Sequence, residues 1–340
     1  MTKTEQIIVK ISDDAFPRWP LIRQTPHSSG QWDNCRFVIN EGLKECDFWV
    51  VYGSIKKIET TLCPPENTIL ITTEPPSVQQ YHPRFLKQFA TVITCHPNLV
   101  HPNVVHTQQG LPWHIGKVQK TPKELEFSRR YEYDELQKFK SFAKTKEISV
   151  IASNMQITAG HRQRLQFVKQ LSSYFGEKLD VFGRGIREVG DKWDAIAAYK
   201  YHVVIENSSF PDYWTEKLAD TYLAGAYPIY YGCPNLDQYF SKAAFTYIDI
   251  HDVEKSIAVI EQCIKEDRYE KVKPEIMKAR DLILDQYNLF PLIAGNINLD
   301  HSYLEKHYSK QRIKLYPEPY WQGAKKRFKY WAREMFGGKF

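Results

Sequence analysis

The chain reads as an α/β protein built from two doubly wound halves, and three observations predict this. Its 340 residues match two domains at about 100–200 residues each, long enough for each to bury its own core. Short runs rich in Val, Ile, Thr and aromatics recur along the first 115 residues, as buried strands do. After residue 147 strand-like and helix-like segments largely alternate, which is the pattern of a parallel sheet covered by helices. The boundaries expected are 1–145, 146–310 and a C-terminal tail, 311–340.

Taken in order, "QIIVKIS", "CDFWVVYG", "TILITT" and "FATVITC" are the strands of the first half. The last three begin about twenty-two residues apart, the spacing of an α/β unit with short helices. The gap after the first strand is longer, and no element is assigned within it. Proline-rich stretches ("PPENT", "EPPSVQQYHP", "HPN") break the chain between or after these strands. Residues 121–147 are highly charged and read as a mostly helical, solvated connection. Next come the strand "KEISVIAS", an amphipathic helix carrying Leu165, Val168, Leu171 and Phe175, and the strands "KLDVFGRG" and "AYKYHVVIENS". A helix, "YWTEKLADTYLAG", closes on a glycine, followed by strands "YPIYYG" and "FTYIDI" and two further helices. Open parallel sheets carry ligands beyond the carboxyl ends of their strands, so both halves are expected to turn those ends toward a central cleft.

Composition excludes several classes. Apolar residues at 42% and charged residues at 25% are a globular balance, not that of a disordered or collagen-like chain. The net charge is +6, of which the last seventeen residues alone carry +5. The remainder is nearly neutral, so no nucleic-acid-binding surface is expected. No apolar stretch reaches membrane-span length, and the N-terminus shows no signal-peptide core, which together read as a cytoplasmic protein. The six cysteines lack CxxC spacing and are expected as free thiols. Cys35, Cys46 and Cys63 are the ones that an oxidising compartment would pair. There is no phosphate-binding GxxxxGK motif, no GxGxxG after a strand, no HExxH, no GxSxG and no DxD pair.

The informative segment is 203–235. A buried strand ending in "HVVIE" delivers Glu206, Asn207, Ser208 and Ser209 at its carboxyl end, and Phe210–Pro211–Asp212 then launches a helix capped by Asp212 or Thr215. Tyr213, Glu216, Lys217 and Asp220 form one helical stripe, and Trp214, Leu218, Thr221 and Tyr222 form another. A polar strand end feeding a helix N-terminus with an early lysine fits a diphosphate site. The same stripe also fits a solvated face laced by i,i+4 pairs.

The stretch "YKYHVVIENSSFPDYWTEKLADTYLAGAYPIYYGCPNLDQYF" strongly resembles the signature region of the α-1,3/1,4-fucosyltransferases, glycosyltransferase family 10, of the bacterial type. "VIASNMQITAGHRQRLQFVKQL" and "LDVFGRG" are similar to two upstream segments of that family, in the same order. "ITTEPPSV" in the first half looks like its acidic loop. The resemblance implies a GT-B fold, two Rossmann-like α/β domains facing a central cleft. It also implies transfer of L-fucose from GDP-β-L-fucose, with inversion, to a hydroxyl of an N-acetylglucosamine- or galactose-containing glycan, in α-1,3 linkage. It casts residues 1–145 as the acceptor-binding domain and 146–310 as the donor-binding domain. Arg164 and Lys217 then stand at diphosphate-contacting positions, with Asn207, Tyr213 and Glu216 around the nucleotide and fucose. Glu74 stands at the catalytic carboxylate.

Inverting transfer needs a base for the acceptor hydroxyl, and Glu74 would require some burial to lift a carboxylate toward pH 7. The prolines after it are expected to hold it in an extended loop. Arg164 and Lys217 would offset the charge on departing GDP in place of a metal ion, so no cofactor and no metal site are expected. Glu206, Arg184 and Lys200 are further candidates near the nucleotide. His114, at the end of the first half, is placed on the acceptor side. Trp19, Trp32, Trp49 and Trp113 are candidates for stacking on sugars, with Trp49 also fitting a strand core. In the tail, Phe328, Trp331, Ala332 and Met335 share one helical face among basic residues. That is the pattern of an interfacial helix, and residues 324–340 are expected to meet the inner face of the membrane, near a cell-envelope or lipid-linked acceptor. A transferase of another 6-deoxyhexose, or a glycan-binding protein without catalysis, carries the same features.

Overall fold

A computed structural model describes residues 6–14, 20–118, 128–154, 159–298, 309–324, 326–328 and 330. The chain divides into two compact units, Met1–Gln109 with Phe290–Phe340, and Gly110–Leu289.

The first unit contains β1 (Ile7–Asp13), β2 (Gln31–Trp32), β3 (Cys35–Ile39), β4 (Phe48–Tyr52), β5 (Glu59–Cys63), β6 (Thr68–Ile71), β7 (Thr91–Thr94) and β8 (Val104–His106). Seven of these form one sheet in the order β2-β3-β1-β4-β6-β7-β8. All neighbours are parallel except the edge pair β2–β3. Phe48–Tyr52 and Thr68–Ile71 are buried throughout, because a parallel strand covered on both faces has no solvent side on which to alternate. Trp49, Val51, Leu70 and Val92 make a core with Phe85 and Leu86 of the short helix α1 (Pro83–Leu86). β5 stands apart and pairs antiparallel with the late strand Gln311–Leu315, whose Leu315 enters the same core. Strand order reverses between β1 and β4, so the carboxyl ends flanking that switch point deliver Asp14 on one side and Gly53 and Ser54 on the other.

The second unit opens with a small antiparallel ribbon, β9 (Lys117–Val118) and β10 (Ser128–Arg129), and the short helix α2 (Tyr133–Lys138). Its sheet comprises β11 (Lys146–Ile151), β12 (Leu179–Phe182), β13 (Tyr199–Ile205), β14 (Tyr227–Tyr231) and β15 (Thr246–Tyr247), all parallel, in the order β12-β11-β13-β14-β15. The helices are α3 (Ala159–Phe175), α4 (Trp193–Ile196), α5 (Glu216–Leu223), α6 (Val253–Lys265), α7 (Arg268–Lys271) and α8 (Lys273–Asp285). This is the second of the two common doubly wound orders, with its switch point between β11 and β13.

Three expectations change. The junction expected at 145 lies at 109/110, and Phe290–Phe340 belongs with the first unit rather than following the second. Of the segment 121–147, residues 121–127 fall outside the described set and, among the described residues, only Tyr133–Lys138 is α-helical. The remainder, 139–145, is irregular because Phe139 and Phe142 stack against each other and onto Trp193 instead of continuing a helix. The unassigned gap after β1 holds β2 and β3, short strands whose pattern carries little signal. Trp49 and Trp113 are core residues, 0% and 1% exposed, while Trp32 is half-buried and Trp19 lies outside the described residues. All six cysteines are buried and unbridged. Among the described residues, no helix is long and apolar enough to cross a membrane.

Candidate active site

Glu206 is the first residue beyond β13, and its carboxylate is completely buried. The backbone N–H of Thr215 donates to its Oε1 at 2.9 Å and the Thr215 hydroxyl to its Oε2 at 2.7 Å. Thr215 is also the N-cap of α5, its Oγ1 accepting from the Lys217 N–H at 3.3 Å. Of the two residues able to cap this helix, Thr215 does so. Asp212 instead takes a left-handed conformation, φ 61°, and holds Asn235 and the Tyr239 hydroxyl. The amide at the start of α5 is therefore occupied by Glu206 rather than open to a ligand. Gly232, after β14, makes this possible, since a Cβ there would sit 2.5 Å from Glu206 Cγ.

Lys217 Nζ donates to Glu206 at 3.2 Å, to Thr215 Oγ1 at 3.0 Å and to Glu216 at 3.3 Å. Burial works against its charge, but the Glu206 and Glu216 carboxylates outweigh it and raise the ammonium pKa above the ordinary lysine value. Glu216 is likewise opposed by burial, yet Lys217 and Lys192 hold its carboxyl well below the usual range. Lys192, in the loop between β12 and α4, lies 3.6 Å from Glu216 and 3.4 Å from Asp220. Asp220 is fully buried on α5, and its Oδ1 accepts the backbone N–H groups of His114 and Ile115 at 2.8 and 3.1 Å.

Arg164, on α3, is 5% exposed. Its Nη1 donates to Asn207 Oδ1 at 2.6 Å and its Nη2 to Ser153 Oγ at 3.2 Å. Ser153 follows β11 and Asn207 follows β13, so the guanidinium spans the switch point of the sheet. Helix α3 reaches this close because residue 160 is glycine, where a Cβ would meet the Asn207 carbonyl oxygen at 2.1 Å.

The structure thus gathers Arg164, Glu206, Asn207, Glu216 and Lys217, and puts buried Tyr213 just ahead of α5 rather than on its stripe. His114 is a correction: it belongs to the second unit, with its Nδ1 3.9 Å from Glu216. Burial and the nearby lysines lower its pKa well below the ordinary imidazole value. Arg184 is exposed. Lys200 stands near the opposite end of β13, paired with Asp267 at 3.0 Å. Lys192, Ser153 and the buried role of Asp220 were not read from the sequence. Lys192 had one available signal, since its loop follows the carboxyl end of β12.

The layering of charge decides what the cluster can do. Glu206 and Asp220 are 0% exposed, whereas the Lys217 and Lys192 side chains are 23% and 26% exposed. Buried carboxylates fix the cations from beneath, and the ammonium groups face solvent, an arrangement suited to a multiply charged anion. Among the described residues, no group of three or more His, Cys, Asp or Glu is placed to hold a metal ion.

In the first unit, a pocket of about 620 Å³ lies at the carboxyl ends of β1, β4 and β6, lined among others by Asp14, Ser54, Lys56, Thr73 and Glu74. Glu74 is exposed rather than buried. Its loop is a turn rather than an extended run, with the Val78 and Gln79 N–H groups returning to the Pro75 carbonyl. His96 Nε2 lies 2.8 Å from the Glu74 carbonyl oxygen.

Two doubly wound α/β units, each with its site at a switch point, are the fold of the GT-B glycosyltransferases. A crystal structure of an alpha1,3-fucosyltransferase with GDP superposes with a TM-score of 0.50 at 15% identity, over 85% of this chain and 94% of that one. Residues 141–271, under half of the chain, match the model of the glycosyltransferase family 10 (fucosyltransferase) C-terminal region. Alpha-(1,3)-fucosyltransferase 4 of Homo sapiens is 35% identical over 103 residues, 28% of this chain and 19% of that protein. The 3-galactosyl-N-acetylglucosaminide 4-alpha-L-fucosyltransferase FUT3 of Pan troglodytes is 30% identical over 121 residues, 34% of this chain and 31% of that protein. The matched stretch therefore spans about a fifth and about a third of those two relatives.

Proposed function

We propose that this chain is an inverting fucosyltransferase. It moves L-fucose from GDP-β-L-fucose to a hydroxyl of an N-acetylglucosamine- or galactose-containing glycan, in α-1,3 linkage. The observation that carries the reading is the cation cluster of Arg164, Lys192 and Lys217 at the switch point, inside the segment shared with family 10. Relatives of that segment are named as fucosyltransferases.

On this reading the reaction is one displacement. The acceptor oxygen bonds to the anomeric carbon as the bond from that carbon to the diphosphate oxygen breaks. Glu74, at the first unit's pocket, takes the hydroxyl proton. Arg164, Lys217 and Lys192 offset the charge growing on GDP, so that donor binding needs no divalent ion. Asn207, Tyr213 and Glu216 orient nucleotide and sugar. The exposed side chain of Phe328 and the basic composition of residues 324–340 support docking on the cytoplasmic face of a membrane, where each basic group contributes about 1 kcal/mol. Trp331, Ala332 and Met335 lie outside the described residues.

Glu74→Gln is the direct test of the chemistry. Removing a general base lowers kcat by about 100-fold or more, while GDP affinity stays unchanged. A variant retaining wild-type kcat contradicts the assignment of Glu74.

A further inference from the structure

Two of the six buried cysteines face each other. Cys46 precedes β4 and Cys63 ends β5, and the main chain draws them together: the Cys46 N–H donates to the Leu62 carbonyl at 2.9 Å, and the Leu62 N–H to the Lys44 carbonyl at 2.9 Å. Glu45 and Leu62 form a parallel bridge, so Cys46 and Cys63 follow as the next opposed pair, and both side chains enter the same core. Cys35 stands on β3, separate from the pair.

We propose that Cys46 and Cys63 form a reversible disulfide when the protein meets a peroxide, making this pair an oxidative modification site in the first unit. The surroundings assign the roles. Lys10 and Lys310 favour the Cys46 thiolate, so Cys46 is taken as the attacking thiol and Cys63 as the resolving one. The pair is 1% and 0% exposed, but the Cys63 thiol donates to the Asp47 carbonyl at 3.9 Å, and the Asp47 side chain pairs with Lys310 at 3.0 Å, both partly open to solvent.

The Cys46 thiolate attacks one peroxide oxygen and breaks the O–O bond. This gives a sulfenic acid and hydroxide, which takes a proton to become water. The Cys63 sulfur then attacks the sulfenic sulfur, and the departing hydroxide leaves with the Cys63 proton as a second water. Two thiols are oxidised by two electrons, and one peroxide is reduced to two waters. The ring so closed contains β4 and the loop carrying Gly53, Ser54, Ile55 and Lys56, all of which line the pocket with Glu74. Oxidation thereby stiffens one wall of that pocket. This inference does not depend on which sugar or acceptor the protein uses.

The test is peptide mapping of the full chain without reduction, before and after hydrogen peroxide, with free thiols blocked by an alkylating reagent. The expected product is a single new cross-linked pair joining the peptides of Cys46 and Cys63, lighter by two hydrogens and removed by dithiothreitol. It needs no variant, so a folding defect cannot obscure it. Both thiols remaining alkylatable, or cross-links through other cysteines, overturns the proposal. Amide exchange at residues 53–56 is expected to slow in the oxidised form, and unchanged exchange there overturns the link to the pocket.

Discussion

Lys144 shows how one side chain sets a pH dependence. Its ammonium is half-buried, pairs with no carboxylate among the described residues, and donates to the Ala197 and Ala224 carbonyls, each at 2.9 Å. These carbonyls belong to the residues that end α4 and α5, where a cation also meets the negative end of each helix. Burial brings its pKa down to about 7, against about 10.4 in an unfolded chain. Between those values the unfolded state binds more protons than the native state, so stability rises with pH across roughly pH 7 to 10. Thermal unfolding at a series of pH values is expected to show this rise in the wild type and a smaller one in Lys144→Met. Equal slopes would sink the assignment. The sequence announces Lys144 only as one charge in a charged run. The two carbonyls that hold it are 53 and 80 residues away, and no local pattern carries that information. Arg164 and Lys217 were legible because they fall in segments that resemble family 10, whereas Lys192 acts from a loop whose path only packing determines.

At the scale of elements, the turn from β13 into α5 carries the site. Thr215 caps the helix and satisfies two acceptor positions of buried Glu206. Thr215→Ala loses the cap, about 1 kcal/mol, and leaves Glu206 short of a donor, about 1–3 kcal/mol more. Denaturant unfolding is expected to show a destabilisation of a few kcal/mol for Thr215→Ala and a near-complete recovery for Thr215→Ser, which keeps the hydroxyl. Equal stability of the alanine and serine variants contradicts this account of the turn. The strands of both sheets were readable as apolar runs, because fully buried parallel strands leave a continuous hydrophobic trace. β3 and β5 were not. β3 alternates weakly, and β5 shows exposed positions because its partner, Gln311–Leu315, comes from far along the chain. Of the polar stripe read for α5, Glu216, Lys217 and Asp220 lie on the helix while Tyr213 precedes it, and Asp220 is buried, holding the backbone at His114 and Ile115.

For the whole molecule, the sequence pattern shows two α/β halves but not where the chain passes between them. The segment after residue 290 returns to the first unit, and its only local trace is a short strand that looks like tail. His114 moved from one half to the other for the same reason: a residue near a junction is assigned by what it packs against, here Asp220 and Glu216. The central claim is that the second unit binds a guanine nucleoside diphosphate through Lys217 and its neighbours. Calorimetric titration of the full chain with GDP, UDP and CMP in EDTA tests it most directly. Selective binding of GDP is expected, weakened about tenfold or more in Lys217→Ala, as loss of a charge-assisted contact worth about 1.5–3 kcal/mol requires. Equal affinity for the three nucleotides, or GDP binding unaffected by Lys217→Ala, contradicts the account.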